Sequence, residues 1–273
     1  MKHLFLIFCF LLAPILMPAN DLPFQAGEEL RFDIHYKYGL VMVRAGSANF
    51  KIEENSNKKN LYCSILSFKT TSFFDRIFKM RDTLRSCITE DLHPLYHSRS
   101  VHEGNYQFTE EMFFNKFTPE QTEVRVKRVS QQQLKFDTIL TSNMMTFDML
   151  NLLLFVRTFD YSKMESAPVR KISTFVGRDK IAVIAHCEGQ SIFEKSETIK
   201  YKTYKIAFDF TDSAFNESKN AVEVWISDDK NRIPLKIRAK LRIGAAEVYL
   251  TSWKNLKYPL SSEIVIPVQK DTE

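Results

Sequence analysis

The sequence predicts a mainly β protein, a large curved antiparallel sheet or open β-barrel with one buried central α-helix. Three observations carry that reading. Apolar and polar residues alternate with period two along most of the chain, the mark of half-buried strands. Short polar breaks, such as residues 53–60 and 213–220, punctuate the alternating runs. One stretch, Ser142–Phe159, is rich in Met, Leu and Phe and does not alternate. A doubly wound parallel fold would need a helix between most strand pairs, and such helices are not evident.

Strand candidates follow in order. Seven precede the non-alternating stretch: Glu29–Tyr38, Arg44–Glu53, Leu61–Lys69, Met80–Glu90, Pro94–Glu103, Tyr106–Asn115 and Glu123–Val129. After it come Ala167–Gly177, Lys180–Glu188, Ile199–Phe210 and Ala221–Ser227. Asp228, Asp229, Lys230 and Asn231 are turn formers, and they lead into a final run, Ile233–Trp253. In that run Leu235, Ile237, Ala239, Leu241 and Ile243 share one face, while Lys236, Arg238, Lys240 and Arg242 share the other. The central helix is expected over Met145–Thr158, capped by Ser142 or Asn143, with Asp148 in its early turns where an acid suits the dipole.

The N-terminus carries Lys2, then an apolar run from Leu4 to Met17, then Pro18, Ala19 and Asn20. A span needs roughly 20 apolar residues, so this reads as a secretory signal peptide over residues 1–20, with an uncleaved anchor as the alternative. Residues 21–273 are then a single β-rich domain with no further transmembrane span. The formal charge of +5 is too slight to suggest a nucleic-acid partner. Cys63 and Cys87 lie equally far from Asp75, so a hairpin cornered there would set them face to face. A disulfide is one reading and a pair of buried thiols the other.

Catalytic motifs are scarce. The sequence has no Gly-x-Ser-x-Gly elbow, His-Glu-x-x-His, Cys-x-x-Cys or phosphate-binding glycine loop, and only 7 glycines in all. His93 and His97 would share a strand face, with His102 at the opposite parity, and no third metal ligand is nominated. A hydrolase built on these histidines and a nearby acid is the weakest reading, and no cofactor is expected. The cationic stripe Lys236, Arg238, Lys240 and Arg242 is either a solvated face or a contact for anionic lipid. With 23 Phe and 10 Tyr, a curved sheet could enclose an apolar ligand or simply fill its own core. Phe73, Phe74 and Phe78 in the "SFFDRIFKMRD" stretch, with Met145 and Met149 in the helix, are the candidate ligand or partner contacts.

Several stretches, in order, resemble an exported bacterial family known as domain of unknown function family 3108. They are "GEELRFDIHYKYGLVMVRAG", "SFFDRIFKMRD", "HEGNY", "TFDMLNLLLFVR" and "VWISDDKNRIPLKIRAKLRIGAAEVYL". The resemblance spans about Phe24 to Trp253 and marks Gly27, Glu28, Gly46, Arg81, Asp82, Asp228, Asp229, Arg232 and Pro234 as motif positions, without assigning them chemistry. It implies a β-rich protein of the periplasm or envelope surface of a Gram-negative-type bacterium. The functional expectation is a non-enzymatic envelope protein holding a lipid, lipoprotein or other apolar ligand within the sheet. The alternative is a structural or protein-interaction module with no pocket.

Overall fold

The computed structural model describes residues 22–54, 61–164, 169–212 and 215–266, with side chains left aside across 211–220. The expected signal segment lies outside the described residues. The first half contributes β1 (Glu29–Tyr38), β2 (Val41–Glu54), β3 (Leu61–Thr70), the one-turn helix α1 (Ser72–Asp75), β4 (Arg81–Thr89), β5 (Pro94–Glu103), β6 (Tyr106–Phe117), β7 (Thr122–Ser130) and β8 (Gln133–Ser142). A short β9 (Phe147–Asp148) leads into α2 (Met149–Arg157) and α3 (Tyr161–Met164). The second half adds β10 (Val169–Val176), β11 (Asp179–Glu194), β12 (Ile199–Asp212), β13 (Phe215–Ser227), β14 (Pro234–Lys240), β15 (Ala245–Lys254) and β16 (Glu263–Val265).

These strands form one sheet ordered β8-β7-β6-β5-β4-β3-β2-β1-β15-β14-β13-β12-β11-β10-β9, with β16 against β12. Every ladder is antiparallel except β9–β10. Each half is therefore a meander of hairpins, and pairing of β1 with β15 joins the two halves. The sheet curls until its far ends meet. Phe175 of β10 packs on Met112, Val124 and Val126 of β6 and β7, so side chains bridge the ends that backbone pairing leaves open.

Helix α2 lies inside the curl. Leu150 and Leu154 join a core with Leu30, Phe50 and Leu250. Val156 joins a second core with Val183, Ile206 and Val224. The expectation of a mainly β fold around one buried helix holds, with two corrections. First, the helix starts four residues late, because Asp148 and not Ser142 or Asn143 is its N-cap, accepting from the amides of Leu150 and Asn151. Residues 147–148 pair with β10 instead.

Second, Ile233–Trp253 is not one strand. The chain turns at Leu241–Gly244 between β14 and β15, so Leu241, Ile243 and Arg242 leave the faces that alternation gave them. Gly244 (φ +75°) makes the turn, and a Cβ there would come within 2.4 Å of the Lys37 carbonyl. The corner of the β3–β4 hairpin falls at Asp75 as expected, and the helical turn α1 forms it.

In register, Cys63 does pair with Cys87 across β3 and β4, and the two are joined as a disulfide. The bridge closes a separation of 24 residues. Loop-closure entropy for that length is worth about 3 kcal/mol. Cys63→Ala/Cys87→Ala is expected to melt roughly 10 °C lower, which differential scanning calorimetry reads directly.

Candidate functional site

The interior is organised by two buried polar locks that fix α2 to the sheet. At its N-terminus Asp148 accepts from the Ser86 hydroxyl at 2.7 Å and the Asn151 side-chain amide at 2.5 Å, besides the two backbone amides. The Ser86 oxygen lies 2.7 Å from His97 Nδ1, and that nitrogen lies 3.3 Å from the carboxylate. A hydroxyl has one proton, and Ser86 gives it to Asp148, so His97 donates to Ser86. Burial alone would raise the Asp148 pKa, yet His97 and these donors hold it below the ordinary carboxylate value.

Ser, His and Asp thus meet, though not as a nucleophilic triad. A nucleophile must pass its proton to the histidine and face a substrate. Here the proton points at the carboxylate, and Ser86, His97 and Asp148 are all sealed from solvent. His93 and His102 are elsewhere. His93 is exposed in the β4–β5 turn with its ring against Phe117, and His102 is an exposed position whose backbone amide donates to Asp82. The three histidines never converge. Among the described residues no group of three or more His, Cys, Asp or Glu is placed to hold a metal ion.

The second lock is Arg157, at the last turn of α2. Its guanidinium grips both Glu28 oxygens, at 2.5 and 3.1 Å, and donates to the carbonyls of Asn231 and Pro23. Asn231 in turn bonds Tyr258 and Pro259, while Asp229 accepts from Ser227, from the Asn231 amide and from Ser262. One buried node therefore ties the entry to β1, the end of α2, the β13–β14 turn and the C-terminal segment.

Several of the motif positions now have physical roles. Glu28 and Asp229 belong to this node, and Arg232 holds a left-handed backbone (φ 48°) in its turn. Pro234 opens β14, where a strand tolerates a missing amide. At Gly46 a Cβ would sit 2.4 Å from the Lys69 carbonyl, so β2 and β3 approach there only with glycine. Arg81 clamps Asp75 of α1, at 2.6 and 3.0 Å. The Arg81 bonds, with that of Thr70, bring the Asp75 pKa down to about 2.

Between the locks, α2 leaves a cavity of about 240 Å³ against the inner face of β10–β14. Met149, Leu152 and Leu153 roof it, while Ile181, Val183, Phe208, Phe210, Val222 and Val224 wall it. The wall follows from alternation, since residues two apart on one strand share a face. Met149 is 43% exposed at the rim. The polar lining groups are already engaged, Arg157 in its node and the Thr174 hydroxyl on the Phe147 carbonyl.

The other candidates separate from this cavity. Met145 packs in the second core. Phe73 and Phe78 are exposed on the β3–β4 connection, with Phe74 half-buried edge-on to Phe73. Lys236 and Arg238 lie on the opposite face of the sheet among carboxylates. Lys236 pairs with Glu247, and Arg238 lies between Glu223 and Glu247, with Lys205 bridging Glu223 and Glu188. Trp225 stacks under Lys205 and Lys236. Lys240 ends β14 and Arg242 follows in the exposed β14–β15 turn. The stripe is thus divided between a ladder of carboxylates and that turn. Sequence reasoning missed Ser86, Asp148 as a cap, and Arg157.

The fold has a counterpart among solved structures. A β-barrel-like protein of domain family DUF1849 from Brucella abortus superposes with TM-score 0.57 at 10% identity, covering 85% of this chain and 98% of that one. A protein of YmcC-like fold from Bacteroides fragilis gives TM-score 0.34 at 7% identity, covering 86% and 98%. No curated protein matches the sequence. The family model of DUF3108, proteins of unknown function, matches residues 31–251, so the chain belongs to the DUF3108 family.

Proposed function

We propose that this is an exported, non-enzymatic envelope protein that holds one acyl chain, or a ligand of similar shape, in the cavity beneath α2. The observation that carries the reading is the lining, aliphatic and aromatic on every side, with its few polar atoms spent on internal bonds. Such a wall offers dispersion and dry surface but no group to orient a polar substrate. The volume sits just below the ~300–1,000 Å³ usual for small-molecule sites, which suits part of a lipid rather than a whole one. Met149 at the rim supplies an adaptable, flexible edge.

Export is supported by the leader-like N-terminus and by the Cys63–Cys87 bridge, which an oxidising compartment preserves. No helix among the described residues is long and apolar enough to cross a membrane. Titration with a fluorescent anthroyloxy fatty acid tests the proposal. Saturable one-to-one binding is expected, weakened at least about tenfold by Val222→Trp, which fills the cavity from its edge. Ile139→Trp, outside the cavity, is the control and binds as the parent does. Absence of saturable binding in the parent protein would support the pocketless structural module instead.

A further inference from the structure

The ladders set several hairpin turns side by side at one end of the sheet. The β1–β2 turn, the β14–β15 turn and the α1 connection are neighbours there. Lys37 pairs with Ala245, the Tyr36 hydroxyl donates to the Ile243 carbonyl, and the Thr71 amide donates to the Ala45 carbonyl. The β5–β6 turn joins them through the bond from the Gly104 amide to the Lys79 carbonyl.

These turns carry large apolar side chains in water. In β1–β2, Leu40, Val41, Met42 and Val43 are consecutive and all exposed. Successive strand residues face opposite ways, so both faces of this ribbon tip are apolar and wet. From Ala45 onward ordinary alternation of buried and half-buried positions returns. On the α1 connection Phe73 is 60% and Ile77 70% exposed, with Phe78 beside them. On β14–β15, Leu241 and Ile243 are exposed, Ile243 at 64%. A run of exposed apolar residues of this length has no role in a protein that meets only water.

Charge identifies the occupant. Residues 38–43, 71–80, 103–106 and 240–244 contain the cations Arg76, Lys79, Lys240 and Arg242 against two acids, Glu103 and Asp75, the second clamped by Arg81. Two copies meeting through this end would set cations against cations. Apolar tips ringed by cations match a bilayer whose headgroups are anionic. We infer that this end of the sheet docks on an anionic phospholipid surface, with Leu40, Phe73 and Ile243 entering the acyl boundary and Arg76, Lys79 and Arg242 meeting phosphate. The inference stands on residues outside the cavity and does not depend on the ligand proposal.

Flotation with vesicles of phosphatidylethanolamine and phosphatidylglycerol tests it, with phosphatidylcholine vesicles alongside. The parent protein is expected to float with the anionic vesicles and far less with the neutral ones. Leu40→Asp/Phe73→Asp/Ile243→Asp is expected to lose about a hundredfold in partitioning, with an unchanged melting temperature and unchanged fatty-acid titration. Arg76→Glu/Arg242→Glu is expected to abolish the preference for anionic lipid. Failure of the parent to float, equal flotation of the triple aspartate variant, or a parent dimer in solution that this variant converts to monomer would each overturn the inference.

Discussion

Arg157→Met destabilises the protein by about 3–5 kcal/mol, because it strands the Glu28 carboxylate in the core without its counter-charge. Both side chains are fully buried, and the guanidinium is also the donor for Asn231 and Pro23. At roughly 2–4 °C per kcal/mol for a chain of this size, the melting temperature falls by about 10 °C or more. Glu28→Met added to Arg157→Met removes the orphaned charge and is expected to recover much of the loss. Denaturant unfolding of the single and double variants measures both effects. A single variant within about 1 kcal/mol of the parent would show that the node is dispensable.

Asp148→Ala is the second large effect, about 4 kcal/mol. It removes a helix cap and leaves Ser86 and the Asn151 amide buried without their acceptor. It also changes the response to pH. The folded-state pKa of Asp148 is depressed, so its contribution is present above the unfolded carboxylate value, about 3.9. That contribution is lost as pH falls through the lower folded value. In the alanine variant the stability difference from the parent is therefore largest near neutrality and narrows in acid. Urea midpoints across the acid range would show this convergence, and parallel curves would refute it.

Most strands are legible because each buries one face, and burial imposes period two. The misreadings arise where that rule is locally silent. β8 was not among the expected strands, since it is an edge strand with exposed Leu134 and Ile139, and burial does not sharpen its pattern. β14 and β15 merged into one expected strand because Leu241 and Ile243 continue the rhythm of Leu235 and Ile237. Gly244 was the signal to stop. The cap of α2 was readable too, as an Asp immediately before an apolar helical run, but the methionines before it drew the helix start too early.

The candidate site was less legible. Glu28 and Arg157 are 129 residues apart in sequence, and Ser86 and Asp148 are 62 apart. Nothing local marks such partners, because the sheet topology alone brings them together. Met149, a candidate for its flexibility, lines the cavity rim. Phe73, Phe78, Lys240 and Arg242, candidates for apolar and cationic character, lie at the end of the sheet.

The most direct test of an acyl-chain site beneath α2 is covalent capture with a photoactivatable diazirine fatty acid, followed by peptide mapping. Labelling within Met149–Val156 and on Phe208, Phe210 or Val222, competed by unlabelled fatty acid and lost in Val222→Trp, is the expected result. Labelling confined to the exposed loops around Leu40, Phe73 and Ile243, or none above background at saturating probe, would contradict it.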